Sequence, residues 1–105
     1  MIRVTATPRT REDLYGLLIK KELDLRRKGQ GTLHRQGGKK REVKWVHRSH
    51  NGWIRFQKCL SGMVVAVVQA RNSGDEWQLL TSFIGFLDRH FRDKISSINI
   101  GYESE

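Results

Sequence analysis

The basic side chains of this chain are concentrated in one segment. Between Arg26 and Arg48 there are nine lysine and arginine residues and one acidic residue, Glu42, in a chain whose formal net charge is +9. The excess positive charge is therefore local, which is typical of a binding surface for a polyanion. A solvated, solubilising loop would carry the same charges, so the pattern leaves both interpretations open.

One more cation, Arg55, and two tryptophans, Trp45 and Trp53, occur in the overlapping stretch EVKWVHRSHNGWIRF, residues 42–56. Asn51-Gly52 between two runs of β-forming residues predicts a two-residue hairpin turn. This turn would place Arg48 opposite Arg55, and like charges that face each other are destabilising unless solvent screens them or a negative ligand binds them. The hairpin is therefore predicted to have one cationic face, which also carries the indole of Trp53.

The residue types of this face match the chemistry of nucleic-acid binding. Lysine and arginine neutralise phosphates and release counterions, while an exposed tryptophan can stack on unpaired bases. Flexible basic residues add contacts to the phosphate backbone that do not read the sequence. The ligand could be RNA, DNA or another polyanion, and the predicted binding residues are Lys39, Lys40, Arg41, Lys44, Arg48, Trp53 and Arg55.

Patterns for catalysis or metal binding are weak. His47 and His50 differ by an odd number of positions, so in a strand they would point to opposite faces, and no second Cys/His pair completes a zinc site. Glu42 is expected to form a cross-strand salt bridge. There is no phosphate loop, dinucleotide-binding glycine pattern or nucleophilic serine motif. We therefore predict no catalytic residue, metal or cofactor.

Seven elements are predicted to position these side chains. Alternation predicts a strand over residues 1–7, and apolar spacing predicts a helix from a Thr10–Asp13 capping box to about Lys28. Residues 29–41 contain four glycines and are interpreted as a flexible basic loop. The remaining elements are a meander with strands at about 42–50, 53–60 and 63–71, a helix at about 75–92 with a Ser73–Glu76 capping box, and a final strand at 97–102.

This β-α-β-β-β-α-β order predicts an α+β fold with two helices packed on one face of an antiparallel sheet. A ferredoxin-like variant is the favoured topology. A chain of 105 residues suits one hydrophobic core, so residues 1–105 are interpreted as a single domain. Trp45 is expected in this core, together with the stripe of the second helix: Trp77, Leu80, Ile84, Leu87 and Phe91.

The third strand of the predicted meander is apolar on both sides. A tight Ser61-Gly62 turn would direct Met63 into the core and leave Val64, Ala66 and Val68 on the outer face. Dimerisation often covers such an apolar strip. A homodimer through Val64, Ala66 and Val68 is therefore expected, and a non-enzymatic homo-oligomeric interaction module is an alternative function.

Two patterns resemble known families. The opening MIRVTATPRTREDL, residues 1–14, resembles the start of RelE-type ribonuclease toxins, where a strand ending in threonine-proline leads into a helix. This resemblance implies a small basic protein that cleaves RNA with Arg, His or Tyr side chains, a second alternative function. The predicted α-β-β-β-α order of residues 11–92 resembles the double-stranded RNA-binding domain, but the last helix opens with GDEW where that family has basic residues.

Cysteine content and hydrophobicity bear on the compartment. The single cysteine, Cys59, cannot form an internal disulfide, and the longest apolar run, MVVAVV at 63–68, has six residues. Such a run is far shorter than a membrane span or a signal core. We expect a cytoplasmic protein without a membrane partner.

Overall fold

A computed structural model describes residues 1–39 and 41–103 of the chain. Along these residues the elements are β1 (Ile2–Pro8), α1 (Leu14–Arg27), β2 (Leu33–Lys39), β3 (Glu42–His47), β4 (Trp53–Lys58), a short 3₁₀ turn (Leu60–Gly62), β5 (Val64–Gln69), α2 (Ser73–Phe91) and β6 (Ile95–Tyr102). The six strands of the described residues form one antiparallel sheet in the order β2-β3-β4-β5-β1-β6. This confirms the α+β class, although there are more strands than in a simple ferredoxin-like fold.

Both helices pack on the same face of the sheet. Tyr15 of α1 contacts Phe56 edge-to-face at 5.7 Å, and Phe86 of α2 contacts Trp45 at 5.0 Å between ring centroids. Trp45 and Phe56 point to the same side because Trp45 is paired with Ile54, two residues from Phe56 on β4. Trp45 is completely buried, which confirms its predicted place in the core.

Within the segment 29–41 that was predicted as a loop, residues Leu33–Lys39 form an edge strand, so the prediction of a loop is wrong for these residues. β2 pairs with β3 from Leu33 opposite His47 to Lys39 opposite Glu42, with a bulge between Arg35 and Gly37. Sequence patterning missed this strand because two glycines and few apolar residues are poor strand signals. β2 is held in the sheet by backbone hydrogen bonds to β3. The register of this pairing depends on the tertiary structure and is not visible in the sequence of β2. The region between the helices therefore holds four strands, unlike the three of the double-stranded RNA-binding domain.

The β3–β4 connection is longer than a two-residue turn. Lys44 lies opposite Arg55, and Trp45 opposite Ile54, so the connection spans residues 48–52. β4 begins at Trp53, as the Asn51-Gly52 hairpin requires, but β3 already ends at His47, and Trp45 faces Ile54 where that hairpin would place it opposite Lys58, a shift of four residues. An even shift leaves every side chain on its predicted face, but the predicted opposition of Arg48 and Arg55 is wrong.

The orientation of β5 is the reverse of the prediction. Val64, Ala66 and Val68 are at most 1% exposed and belong to the core, so the predicted homodimer through these residues is wrong. The 3₁₀ turn at Leu60–Gly62, with Ser61 in the left-handed region at φ 62°, replaces the tight turn and places Lys58 opposite Val64. This different connection exchanges the faces of an alternating strand.

The long helix α2 also differs in its details. Leu80, Leu87 and Phe91 are buried as predicted, but Trp77 is 54% exposed, so its assignment to the core is wrong. The buried stripe also includes Leu79, Phe83 and Phe86, each one position before a residue of the predicted set, and Ile84 is only partly buried. The N-cap is Asn72, whose side chain accepts a 2.7 Å hydrogen bond from the backbone N–H of Asp75.

The first predicted cap is replaced by a contact between elements. Asp13 is the N-cap residue of α1 but makes no capping hydrogen bond. Its carboxylate lies 3.2 Å from Nζ of Lys58 on β4.

Among the described residues, no helix combines the length and the hydrophobicity that a membrane span requires.

Candidate nucleic-acid interface

The sheet face opposite the helices carries a row of cations that crosses four strands. Lys44 on β3 lies opposite Arg55 on β4, Arg55 lies opposite Val67 on β5, and Val67 lies opposite Arg3 on β1. We call this surface the outer face and define it by Arg3, Lys44, Trp53, Arg55 and Val67. Neighbouring strands lie about 4.8 Å apart, so the row from Lys44 to Arg3 extends about 14 Å.

Trp53 lies beside this row, close to Lys44 and Arg55. Lys44 Nζ is 5.4 Å and Arg55 Cζ is 6.0 Å from the centroid of the Trp53 ring. Cations at these distances are attracted by the negative potential of the indole face. The half-buried ring is thus held against two side chains that could also bind phosphates.

The repulsion between like charges that was predicted for Arg48 and Arg55 occurs instead between Lys44 and Arg55, which face each other. Glu42 and the Trp53 ring offset this repulsion. Glu42 Oε1 lies 3.3 Å from Nη1 of Arg55 across the strands. The predicted cross-strand salt bridge of Glu42 is therefore confirmed, and this carboxylate reduces the positive charge that Arg55 presents.

Arg48 is separated from the outer-face row, because it follows the end of β3. Its backbone N–H donates a 2.9 Å hydrogen bond to the carbonyl of Thr32. Nη2 of its guanidinium lies 3.4 Å from Nε2 of His34 on the edge strand. Arg48 can therefore extend the cationic surface at the β2–β3 side of the sheet, although it does not face Arg55.

Lys39 and Arg41 flank the connection between β2 and β3. Lys39 ends β2 opposite Glu42, and both Lys39 and Arg41 are exposed. Lys40 lies outside the described residues. Gly38 has φ 113°, and a Cβ there would meet the carbonyl of Glu42, so only glycine fits this close approach of the two strands. Lys39 belongs to a paired strand end and Arg41 directly precedes β3, so both are distinct from the row on the outer face.

Arg3 was missed by the sequence analysis. Alternation in β1 places Arg3 on the face opposite Ile2 and Val4, but its position next to β5 depends on long-range pairing. Nε of Arg3 donates a 2.6 Å hydrogen bond to Oε1 of Glu103. This ion pair limits the charge that Arg3 offers to a ligand, as Glu42 limits that of Arg55. Lys44, which has no ion pair in the described residues, is therefore the least neutralised cation of the row.

His47 and His50 lie together and do not point apart. Their ring centroids are 4.7 Å apart, because His50 belongs to the loop after β3 and is free of strand alternation. Burial lowers the pKa of His47, and nearby His50 and His34 lower it further. Nδ1 of His47 accepts a 2.9 Å hydrogen bond from the backbone N–H of Ser49. The described residues contain no cluster of three or more His, Cys, Asp or Glu side chains suited to a metal ion.

A buried carboxylate links α1 to the edge strand. Glu22 is 1% exposed, and its Oε2 lies 3.1 Å from Nε of Arg26 and 3.9 Å from Nδ1 of His34. Burying a charge is costly unless it is paired, so this cluster ties α1 to β2 near Arg48. No sequence signal indicated it, since Glu22 resembles an ordinary solvated helix residue.

Comparison of the chain with models of protein families, with curated proteins and with solved structures finds no match in any of the three. The geometry of the outer face is therefore the basis for a functional assignment.

Proposed function

We propose that this protein binds nucleic acid through the outer face, with little dependence on sequence and with a preference for unpaired bases. Trp53 would stack on a base, while Lys44 and Arg55 would bind the adjoining phosphates. Lys39, Lys40, Arg41 and Arg48 would add backbone contacts at the β2–β3 side of the sheet.

The observation that carries this proposal is that Trp53 lies within 6.0 Å of Lys44 and Arg55, on a sheet face that neither of the described helices covers. A solubilising charge cluster has no need of an aromatic ring held within about 6 Å of a lysine and an arginine. A base stacked on the indole would have both cations beside it, where its flanking phosphates could reach them. The geometry thus combines stacking and charge neutralisation in one place.

Unpaired positive charge is present at the same surface. Within the described residues, Lys44 and Arg48 have no carboxylate at ion-pair distance, whereas Arg3 and Arg55 are paired with Glu103 and Glu42. The charge of Lys44 and Arg48 is available to an anionic ligand.

The test compares how the replacement of Trp53 and the replacement of Trp77 each change the affinity for nucleic acid. We expect Trp53→Ala to weaken binding of a labelled mixed-sequence single strand by about 5-fold to about 150-fold, the equivalent of about 1–3 kcal/mol for one stacked base. Trp77→Ala, which removes a tryptophan on the helix side, serves as the matched control and should leave the affinity unchanged. Fluorescence anisotropy with RNA, DNA and duplex probes measures both.

Three results would contradict the proposal in different ways. Absence of binding to every probe at about 50 mM salt, where phosphate contacts are strong, would refute the nucleic-acid interface. Equal losses in Trp53→Ala and Trp77→Ala would refute the outer face as its location. Cleavage of the RNA probe during titration would favour the RelE-like ribonuclease alternative over simple binding.

Two finer assignments belong to the same proposal. Strands β4, β5, β1 and β6, with the two helices, follow the chain order expected for a ferredoxin-like unit, and we interpret β2 and β3 as an insertion after α1. The free Cys59 is compatible with a reducing compartment, so we retain the cytoplasm as the proposed location.

A further inference from the structure

The two edges of the sheet are built differently. The β2 edge contains Arg35 and Lys39, a bulge, and two glycines with positive φ. Charges and bulges on an edge strand prevent pairing with another chain. β6, Ile95–Tyr102, reads ISSINIGY and has no charged residue, and its bulge against β1 is confined to the Ile95 end, so Ser97–Tyr102 has none of these devices. An uncharged edge strand of eight residues is suited to pairing with another strand.

The free backbone groups of β6 follow from its pairing with β1. The N–H of Glu103 donates to the carbonyl of Met1, and Ile2 lies opposite Tyr102. Hydrogen-bonding direction alternates along an antiparallel strand, so the N–H and C=O groups of Tyr102, Ile100 and Ile98 point away from β1. In the described part of the chain, no strand lies on that side of β6. These groups form a regular template for an added strand.

Exposed apolar side chains lie along the same edge. Ile100 is 43% exposed and Tyr102 is 70% exposed, and both share the helix side of the sheet with buried Val4 and Ile2, their partners on β1. The terminal amino group of Met1 lies 3.2 Å from Oε2 of Glu76. This contact brings the start of α2, and with it the exposed Trp77, to the Tyr102 end of the edge.

Most charges around this edge are locally compensated, apart from Arg9, which donates a 3.3 Å hydrogen bond to the carbonyl of Ile95 and has no ion pair in the described residues. Arg3 is paired with Glu103, the Met1 amino group with Glu76, and Arg92 with Asp88. A chain with a net charge of +9 repels its own copies, so self-association requires a surface where the charge is neutral. The β6 edge meets this requirement, whereas the β2–β3 edge does not.

We propose that β6 pairs with the β6 strand of a second copy, in antiparallel orientation, to form a continuous twelve-stranded sheet. Pairing centred on Asn99 aligns the outward-pointing backbone groups of the two strands, with Ile98 of each copy opposite Ile100 of the other. The strand complements itself because these two apolar residues lie on the same side. The two-fold axis of this dimer is perpendicular to the sheet, so both outer faces lie on one side of it.

The first test is the mass in solution. We expect sedimentation equilibrium to give about twice the monomer mass of 12.3 kDa, with a reversible dependence on concentration. In this register Ile100→Lys places a charge opposite Ile98 of the other copy and Tyr102→Lys places one opposite Ser96, so both variants should yield monomers. Leu60→Lys alters an apolar residue that is 86% exposed but lies in the β4–β5 turn, so this control should remain dimeric.

Circular dichroism melting separates loss of pairing from loss of folding, since the residues changed are already exposed in the monomer. A monomeric wild type would overturn the proposal. It would also be overturned if both β6 variants fold and stay dimeric, or if Leu60→Lys dissociates to the same extent.

Amide hydrogen exchange tests the same interface without any substitution. At high protein concentration the amides of Ile98, Ile100 and Tyr102 should be protected, and on dilution they should exchange quickly. The amides of Asn99 and Gly101 point to β1 and should stay protected at both concentrations. Fast exchange of Ile98, Ile100 and Tyr102 at every concentration would contradict pairing through β6. This inference is independent of nucleic-acid binding, because it concerns the opposite edge of the sheet.

Discussion

Removing the charge of Lys44 should weaken the salt dependence of nucleic-acid binding. Apart from Arg3, which is paired with Glu103, five described cations can contribute at the outer face and the β2–β3 side of the sheet: Lys39, Arg41, Lys44, Arg48 and Arg55. If each neutralises one phosphate of a single strand, the logarithm of the affinity should fall with the logarithm of the salt concentration with a slope of about −3.5. Between about 50 and about 200 mM salt, this slope corresponds to a loss of about 130-fold.

Lys44→Gln removes one of these contacts without introducing a repulsive charge. The slope should then become about −2.8, and the loss over the same range should fall to about 50-fold. The variant should fold normally, because Lys44 is half-buried on the uncovered side of the sheet and has no ion pair in the described part of the chain. Fluorescence anisotropy titrations at several salt concentrations give the slope directly.

The matched control is Lys20→Gln, which removes an exposed lysine from α1 on the other side of the sheet. Its slope should equal that of the unmodified protein. If Lys44→Gln leaves the slope unchanged, Lys44 does not contact a phosphate. If Lys20→Gln changes the slope equally, binding is not confined to the outer face. Either result would refute the reasoning.

Two further predictions concern the framework that holds this face. Gly52 has φ 111°, and a Cβ there would meet the carbonyl oxygen of Gln69, so Gly52→Ala should reduce the free energy of unfolding by about 1–3 kcal/mol. The control Gly85→Ala lies in α2 with no heavy atom within 4 Å of the added carbon and should stabilise the protein by up to about 1 kcal/mol; equal urea midpoints for the two variants would contradict this. Burial lowers the pKa of His47, so the unfolded chain holds the proton more tightly, and stability should fall as the pH decreases from about 6.5 through the folded-state pKa. His47→Gln should reduce this loss, and identical urea midpoint shifts between about pH 7 and about pH 5 in both proteins would show that His47 is not responsible.

The sequence predicted the elements whose signals are local. The alternation of Ile2, Val4 and Ala6 predicted β1, apolar spacing predicted both helices, and Ile98, Ile100 and Tyr102 predicted β6. These patterns succeed because a strand or helix with one buried face must repeat its apolar residues at the period of its own backbone. The same local reasoning correctly placed Trp45 in the core.

The candidate site was predictable in part. Lys44, Trp53 and Arg55 share one face because they lie on adjacent strands of a recognisable hairpin, and an even register error preserved that face. Arg48 was displaced from Arg55 by the longer loop. Arg3 entered the row through β1–β5 pairing, which joins residues more than 60 positions apart and leaves no trace in either strand alone.

What the sequence by itself determined is the α+β class, the amphipathic elements and the local concentration of positive charge, since each depends on neighbouring residues. The tertiary structure decided which side of β5 is buried, because a strand that is apolar on both sides has no periodicity to orient it and the Leu60–Gly62 turn sets its phase. It also decided that Leu33–Lys39 is a strand and that β6 is an exposed edge. Strand pairing and sheet order depend on hydrogen bonds between distant residues and on which apolar faces are buried in the shared core. Both are properties of the whole chain.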